Sequence, residues 1–356
     1  MDLTNVLRLS HAYGKNPAFV LGEGGNTSVK DETILYVKRS GVALAAMEAG
    51  DFVPVSRKKL EATATKAYPE DDEASEAAYL ADAAEARVIS DDPRQPSVEA
   101  LAHALFPQTY MLHLHPALVN GLTCGKEGAR FMETLFGEAA LWVPPARPGY
   151  MLGKLCRGLM EDYKRRMGED VRLMFLQNHG IFAAADTIEE IDQMFGRVLH
   201  ILEEAVGERP LPPDGAADPG EVEAIARMTG AKAVRFQSSP QILEITASRA
   251  RAAAVMAPLT PGHVAGCGLR YPYLNQVADM EGEVLEGRIV LLKDRGFFAL
   301  GQTEAGAEKA EISFLDMINT AVYAKSFGGP QGMPEAMAHF IYHWDVEAYR
   351  QKEGIR

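Results

Sequence analysis

The sequence predicts an α/β protein in two parts, and three observations carry that expectation. Short segments of alternating apolar and polar residues, bounded by glycines, are interleaved with longer amphipathic stretches of helical period. A Pro/Gly/Asp tract over 208–220 can hold neither a helix nor an interior strand, which makes it a linker. A further α/β pattern follows it to the C-terminus. The expected division is 1–207 for a larger first domain, 208–220 for the linker and 221–356 for a smaller C-terminal α/β domain.

Taken in order, Thr4 to Asn16 reads as an opening helix. The turn Gly22-Glu23-Gly24-Gly25-Asn26 leads into two strands, Thr27 to Lys30 and Ile34 to Lys38. Ala74 to Ile89 is Ala-rich and helical. Another helix is expected after Pro96, capped by Ser97 and running through Glu99 to Phe106. Thr109 to His115 reads as a strand stopped by Pro116, Val171 to Leu176 as a second, buried strand, and Ile188 to Val206 as a long amphipathic helix. A faint echo joins the two halves. Gly180-Ile181-Phe182-Ala183-Ala184-Ala185-Asp186-Thr187 and Gly296-Phe297-Phe298-Ala299-Leu300-Gly301-Gln302-Thr303 both read as strand, turn and capped helix. They are either two ordinary strand-to-helix units or a degenerate repeat.

Composition excludes several classes. The 356 residues are 47% hydrophobic and 24% charged, values of an ordinary globular chain with enough length for a substantial core. The formal net charge is −13, and the nearest candidates for a basic block, Arg57-Lys58-Lys59 and Lys164-Arg165-Arg166, are short and flanked by acids. No nucleic-acid face can be built from them. Three scattered cysteines, Cys124, Cys156 and Cys267, make neither a disulfide framework nor a metal knuckle. No apolar run approaches the ~20 residues of a membrane span, and the first residues do not form a signal peptide. The expectation is a reduced, cytoplasmic protein with no membrane partner.

Candidate chemistry begins with His113-Leu114-His115. In a strand of period two both imidazoles point to one face while Leu114 enters the opposite layer. Gln177-Asn178-His179-Gly180 follows the second strand and offers a third imidazole, with Gly180 expected to let the backbone turn. Three neutral nitrogens around an open position describe a catalytic rather than a structural zinc site. Singly, each histidine is more often a hydrogen-bonded core residue, so the set matters and not its members. Glu99 is the expected general acid/base beside that Lewis acid. Its bland alternative is an acid placed by the helix dipole. His103, at i+4 from Glu99, is expected to support the site rather than to ligate. The Gly22 to Ser28 turn and Lys38-Arg39-Ser40-Gly41 offer N–H groups, hydroxyls and cations suited to a phosphate, without the spacing of a nucleotide-binding loop.

Gly25-Asn26-Thr27-Ser28-Val29-Lys30, Ser40-Gly41, Pro96-Ser97-Val98-Glu99, His113-Leu114-His115-Pro116 and Asn178-His179-Gly180 occur in the order seen in the class II aldolase/adducin family. The chain resembles most closely the rhamnulose-1-phosphate aldolase-like domains, including those fused to a short-chain dehydrogenase. The likeness is specific from about Ala12 to Val206 and continues weakly around Pro258 to His263 and Phe297 to Ala305. It implies a three-layer α/β/α sandwich around a mostly antiparallel sheet, assembled as a homo-oligomer, a tetramer in relatives. It also implies a Zn2+ ion on His113, His115 and His179, Glu99 as acid/base, and Asn26, Ser40, Gly41 and Ser97 facing the phosphate of dihydroxyacetone phosphate.

The implied reaction is cleavage or formation of a ketose 1-phosphate, with an aldehyde such as lactaldehyde, through an enediolate. Alternatives on the same site are an epimerase, a dehydratase or a decarboxylase; a non-catalytic adducin-like module is a further one. Two features depart from the pattern: Val98 stands where fuculose-phosphate aldolase types often carry a second serine, and no dinucleotide-binding fingerprint follows. Relatives also recruit a C-terminal tyrosine, for which Tyr323, Tyr342 and Tyr349 are the candidates.

Overall fold

The computed structural model describes residues 1–69 and 71–344. The chain divides into two compact units, Met1–Val119 with Ala129–Leu202, and Asn120–Gly128 with Glu203–Arg356.

In the first unit the strands are β1 (Asn26–Lys30), β2 (Ile34–Lys38), β3 (Phe52–Ser56), β4 (Tyr110–Leu114), β5 (Leu141–Val143), β6 (Leu173–Leu176) and β7 (Gly180–Ala185). They form one sheet in the order β3-β2-β1-β4-β7-β6-β5. All neighbours are antiparallel except β5 and β6. The helices are α1 (Thr4–Gly14), α2 (Arg57–Thr63), α3 (Asp72–Glu85), α4 (Ala100–Leu105), α5 (Ala117–Thr123), whose last four residues belong to the second unit, α6 (Gly128–Phe136), α7 (Tyr150–Met167) and α8 (Ile188–Ala205).

Strand periodicity sorts these helices into two layers. On β1, Ser28 bonds to His103 of α4, whereas Thr27 bonds to Ser10 of α1 at 2.6 Å, on the opposite face. On β2 and β3, Leu35, Val37, Val53 and Val55 pack with Leu60 of α2, Tyr79 of α3 and Leu101 of α4. Further along the same face Met111, Met174, Leu176 and Phe182 meet Leu152 and Cys156 of α7. On the other face α1 and α8 lock together through Tyr13, whose ring meets Phe195 edge-on at 5.2 Å and whose hydroxyl donates to Asp192. The fold is therefore the expected α/β/α sandwich with a mostly antiparallel sheet.

The second unit carries helices α9 (Pro219–Thr229), α10 (Pro240–Thr246), α11 (Arg249–Ala252), α12 (Pro261–Cys267), α13 (Glu304–Ala324) and α14 (Glu335–His343). Its strands β8 (Ala233–Gln237), β9 (Tyr273–Leu274), β10 (Ile289–Leu292) and β11 (Gly296–Gly301) make a sheet ordered β8-β11-β10-β9. Residues 206–218 carry no helix or strand. Asp218 then caps α9 by accepting from the Gly220 and Glu221 amides, with Pro219 at the first helical position, where its missing N–H costs nothing.

Two local expectations need correction. Ser97 does not cap the helix directly. Its hydroxyl accepts from the Glu99 amide at 3.3 Å, and α4 starts only at Ala100, which leaves Glu99 at the capping position. Gly180 does not make the turn before β7 either. Asn178 does, at φ 56, a left-handed conformation that asparagine tolerates better than most side chains. Gly180 is needed for a different reason: a β-carbon there would collide with the Leu114 carbonyl oxygen of β4.

Candidate active site

Cross-strand register assembles the site. His113 on β4 lies directly opposite Asn26 on β1 and Phe182 on β7. Its neighbour Leu112 is paired with Thr27, so His113 and Asn26 face α4 while Leu112 and Thr27 face α1. His115 sits one residue beyond the strand and returns to the same face, its Nε2 2.8 Å from His113 Nε2. The β6–β7 hairpin delivers His179, whose ring centroid is 5.0 Å from that of His113 and 5.2 Å from that of His115. One nitrogen from each of the three falls within 4.8 Å of the others. His113 is fully buried, His179 nearly so, and His115 half-buried. The group thus opens to one side.

Glu99, at the mouth of α4, closes the other side. Its Oε2 is 3.3 Å from His113 Nε2 and its Oε1 is 3.3 Å from His179 Nε2. Burial alone would push this carboxyl up. The His113 and His179 imidazoles and the Asn26 amide outweigh it and hold the group well below the usual carboxylate range.

A chain of hydrogen bonds sets each polar atom in one orientation. Burial, with Lys30 adding to it, keeps His103 well below the usual imidazole range and therefore neutral. Its Nε2 faces Asn26 Oδ1, an acceptor, so Nε2 carries the proton and Nδ1 accepts from the Ser28 hydroxyl at 2.7 Å. With Oδ1 so engaged, the Asn26 amide nitrogen points to Glu99 Oε2 at 2.7 Å and to Ser97 Oγ at 3.1 Å. Both donors of Asn26 are spent on these two partners. Glu99 Oε2 is held, while Oε1 is buried without a hydrogen-bond partner.

His113 is fixed in the same manner. Its Nδ1 donates to the Ile181 carbonyl at 3.0 Å, which turns Nε2 towards His115 and Glu99. Two imidazole nitrogens facing each other in this way, beside a buried carboxylate oxygen that accepts no hydrogen bond, are the donor set a divalent cation takes. The residues therefore fit a metal ion, with His113, His115 and His179 as its nitrogen donors.

The remaining sequence candidates lie around this cluster. Gly25 adopts φ +64, and a β-carbon there would approach the His113 carbonyl oxygen to 2.8 Å, so the Gly-rich turn packs tightly on β4. The chain beyond β2 pairs with the segment before Glu99: the Ser97 amide donates to Lys38 O and the Ser40 amide to Gln95 O, each at 2.9 Å. Lys38, rather than Ser40, is therefore the cross-strand neighbour of Ser97. The Lys38 ammonium donates back to the Glu23 carbonyl in the Gly-rich turn at 2.9 Å, while Arg39 is committed to Asp51 at 2.6 Å. Gly41 follows at φ +80 with open space at its missing β-carbon. Sequence reasoning missed the dual bonding of Asn26. Only the i+4 placement of His103 under Glu99 hinted at it. Of the tyrosine candidates, Tyr323 on α13 is half-buried and Tyr342 on α14 exposed; Tyr349 lies outside the described residues.

Three converging imidazoles and one acid at the end of the central strands of an α/β/α sandwich define the class II aldolase arrangement. The chain belongs to the family of class II aldolase and adducin N-terminal domains, whose model matches residues 5–203. A curated relative, the uncharacterized oxidoreductase YuxG of Bacillus subtilis (strain 168), is 27% identical over 196 residues. These make up 52% of this chain and 27% of that protein. The matched part is thus about a quarter of the relative's length. Among solved structures, the N-terminal class II aldolase domain of a conserved protein from Thermoplasma acidophilum is 24% identical with a TM-score of 0.48, over 57% of this chain and 93% of that one. L-Fuculose-1-phosphate aldolase from Thermus thermophilus is 13% identical with a TM-score of 0.36, over 57% and 94%. Among the described residues no helix is long and apolar enough to cross a membrane.

Proposed function

We propose that this chain is a metal-dependent carbon–carbon lyase of the aldolase type, binding zinc through His113, His115 and His179 and acting on a ketose 1-phosphate. The products would be dihydroxyacetone phosphate and a small aldehyde such as lactaldehyde. The observation that carries the reading is Glu99 Oε1, buried and without a hydrogen-bond partner, 3.3 Å from His179 in a cluster of three imidazoles. A divalent cation bound there supplies a Lewis acid, which lowers the cost of negative charge on adjacent substrate oxygens.

This chain's own residues supply the rest. Glu99 Oε1 is the atom that takes the proton from the hydroxymethyl carbon of dihydroxyacetone phosphate in the direction of synthesis. The carbon so freed attacks the aldehyde carbonyl, and the proton is returned to the oxygen of the new alcohol; cleavage is the reverse. Asn26 holds Oε2, so a single oxygen of Glu99 faces the substrate. Ser97 Oγ accepts from Asn26 and from the Glu99 amide, so its own O–H is the donor it can offer to a phosphate. Ser40, Gly41 and Lys38 border the same turn and complete that subsite. In this arrangement Asn26 serves the phosphate only indirectly, through Ser97.

Val98 favours a second reading. It is buried at 6% exposure and puts an isopropyl group where a serine would add a hydroxyl donor. A substrate without a phosphate, handled by an epimerase, a dehydratase or a decarboxylase on the same residues, fits that loss. The test is release of dihydroxyacetone phosphate from a panel of ketose 1-phosphates, L-rhamnulose and L-fuculose 1-phosphate among them, with and without a chelator. Chelator-sensitive release supports the aldolase. No release by protein that contains metal moves the reading to the second group, and protein that binds no metal returns it to a non-catalytic module.

A further inference from the structure

The second unit repeats the strands and hairpin of the metal-binding half of the first; in place of α7, which joins β5 to β6, only a short turn over Val277–Met280 joins β9 to β10. The sheet orders β4-β7-β6-β5 and β8-β11-β10-β9 coincide, with two antiparallel pairings followed by a parallel one in each. Leu176 pairs with Gly180 across the first hairpin and Leu292 with Gly296 across the second. Each three-residue loop carries one left-handed residue at its centre, Asn178 at φ 56 and Asp294 at φ 54. A β-carbon on Gly180 would strike the Leu114 carbonyl oxygen, and one on Gly296 would strike the Gln237 carbonyl oxygen. After each hairpin a threonine caps a long helix. Thr187 accepts from the Glu190 amide at 3.2 Å and Thr303 from the Gly306 amide at 3.0 Å.

The layers agree as well. Phe182 packs on the face of α4 and its counterpart Phe298 on the face of α9, with Ile225. Register therefore fixes which residues of the second unit stand at the ligand positions. Leu114 pairs with Ile181, and Gln237 with Phe297. Phe236 thus takes the place of His113, Ser238 that of His115, and Arg295 that of His179.

At that position the second unit holds an ion pair. The Arg295 guanidinium bonds to Glu221 Oε2 at 2.8 Å, and its central carbon lies 6.0 Å from the ring centroid of Phe236. Glu221 stands in the first turn of α9, the helix before β8, as Glu99 stands at the mouth of α4, the helix before β4. We propose that Pro219 to Ala324 are a degenerate second copy of the metal-binding half, in which a side-chain cation paired with Glu221 replaces the metal. The chain accordingly holds one ion, in the first unit. This rests on the ligand set assigned above and adds to it.

Restoring the ligands tests the equivalence. The variant Phe236→His/Ser238→His/Arg295→His, in the full chain, should raise zinc content from one to two equivalents, measured by inductively coupled plasma mass spectrometry after dialysis against micromolar zinc. Ser238 is buried and close to Gly215, so a second variant, Phe236→His/Arg295→His, leaves it in place. That pair offers two imidazoles beside Glu221 and should also gain zinc, with lower affinity. If the triple variant fails to fold, the double variant decides. Zinc content unchanged from wild type in a cooperatively folded variant overturns the proposal. Wild-type protein without zinc overturns the first unit's assignment instead, and the increment in the variants still reads the second.

Discussion

Replacing Glu99 by Gln removes the proposed proton acceptor while keeping the shape of the side chain. The Gln carbonyl can accept from Asn26 Nδ2 where Oε2 does, at 2.7 Å, so the amide NH2 falls at the Oε1 position beside His179. An amide there cannot take a proton. General-base catalysis contributes about 10²–10⁴-fold, so turnover should fall by that factor, about 3–5 kcal/mol of barrier. The fold should persist with reduced stability, because the charge that the imidazoles favour is lost while the side-chain volume and the Asn26 bond are kept. Zinc should remain on the three imidazoles, with affinity reduced by no more than about 10–100-fold. Two assays separate the effects: zinc content per chain, and deuterium uptake from D2O at the hydroxymethyl carbon of dihydroxyacetone phosphate, followed by proton NMR. Exchange within about threefold of wild type would remove Glu99 from the role of base.

Four further outcomes are expected. His115→Ala should lose zinc together with activity, and full zinc occupancy in dialysed protein would refute the ligand assignment. His103→Leu leaves Asn26 Oδ1 without its donor; turnover should drop about tenfold while zinc content and KM stay near wild type, and an unchanged rate would show that the orientation of Asn26 does not matter. Gly180→Ala places a methyl against the Leu114 carbonyl and should cost about 2–4 kcal/mol in urea unfolding. Lys30 is buried, and burial, with Arg57 adding to it, lowers its ammonium to about 7; Asp186 and Glu61 pull the other way. A folded value below the unfolded one means stability is lost as pH falls from about 10.5 through 7. Lys30→Met removes a penalty of about 5 kcal/mol at pH 6, offset by about 1–3 kcal/mol for the bond from Lys30 Nζ to the Gln108 carbonyl that it loses; the penalty shrinks towards pH 10, and an effect independent of pH would refute the assignment.

Much of the site was readable from spacing because strand geometry is periodic. His113-Leu114-His115 could only project both imidazoles to one face, and a Gly after His179 signalled a tight passage. The layered fold followed from the ordered motifs rather than from hydropathy, since strands buried on both faces, such as β7 with its run of alanines, lack alternation. Other features were not local. Asn26 carries the letters of a phosphate-binding turn, and only the placement of α4 showed that Glu99 and Ser97 consume both its donors. Residues 120–128 join the second unit by long-range packing that no segment of sequence announces. The echo between Gly180 to Thr187 and Gly296 to Thr303 was visible as letters. Its extension to the strands on either side depends on register, which the pattern of letters does not record.

His113 lies within a central strand, bonded on both sides to neighbours, and its Nδ1 is held by the main chain of β7. His179 hangs from a hairpin whose shape comes from Asn178 and Gly180. The placement of the three imidazoles is thus a property of the sheet and its hairpin, and the proposed coordination geometry needs no ion to form it. Binding free energy then need not be spent on ordering the chain, so removal of the ion should leave a folded receptor that reloads by simple capture.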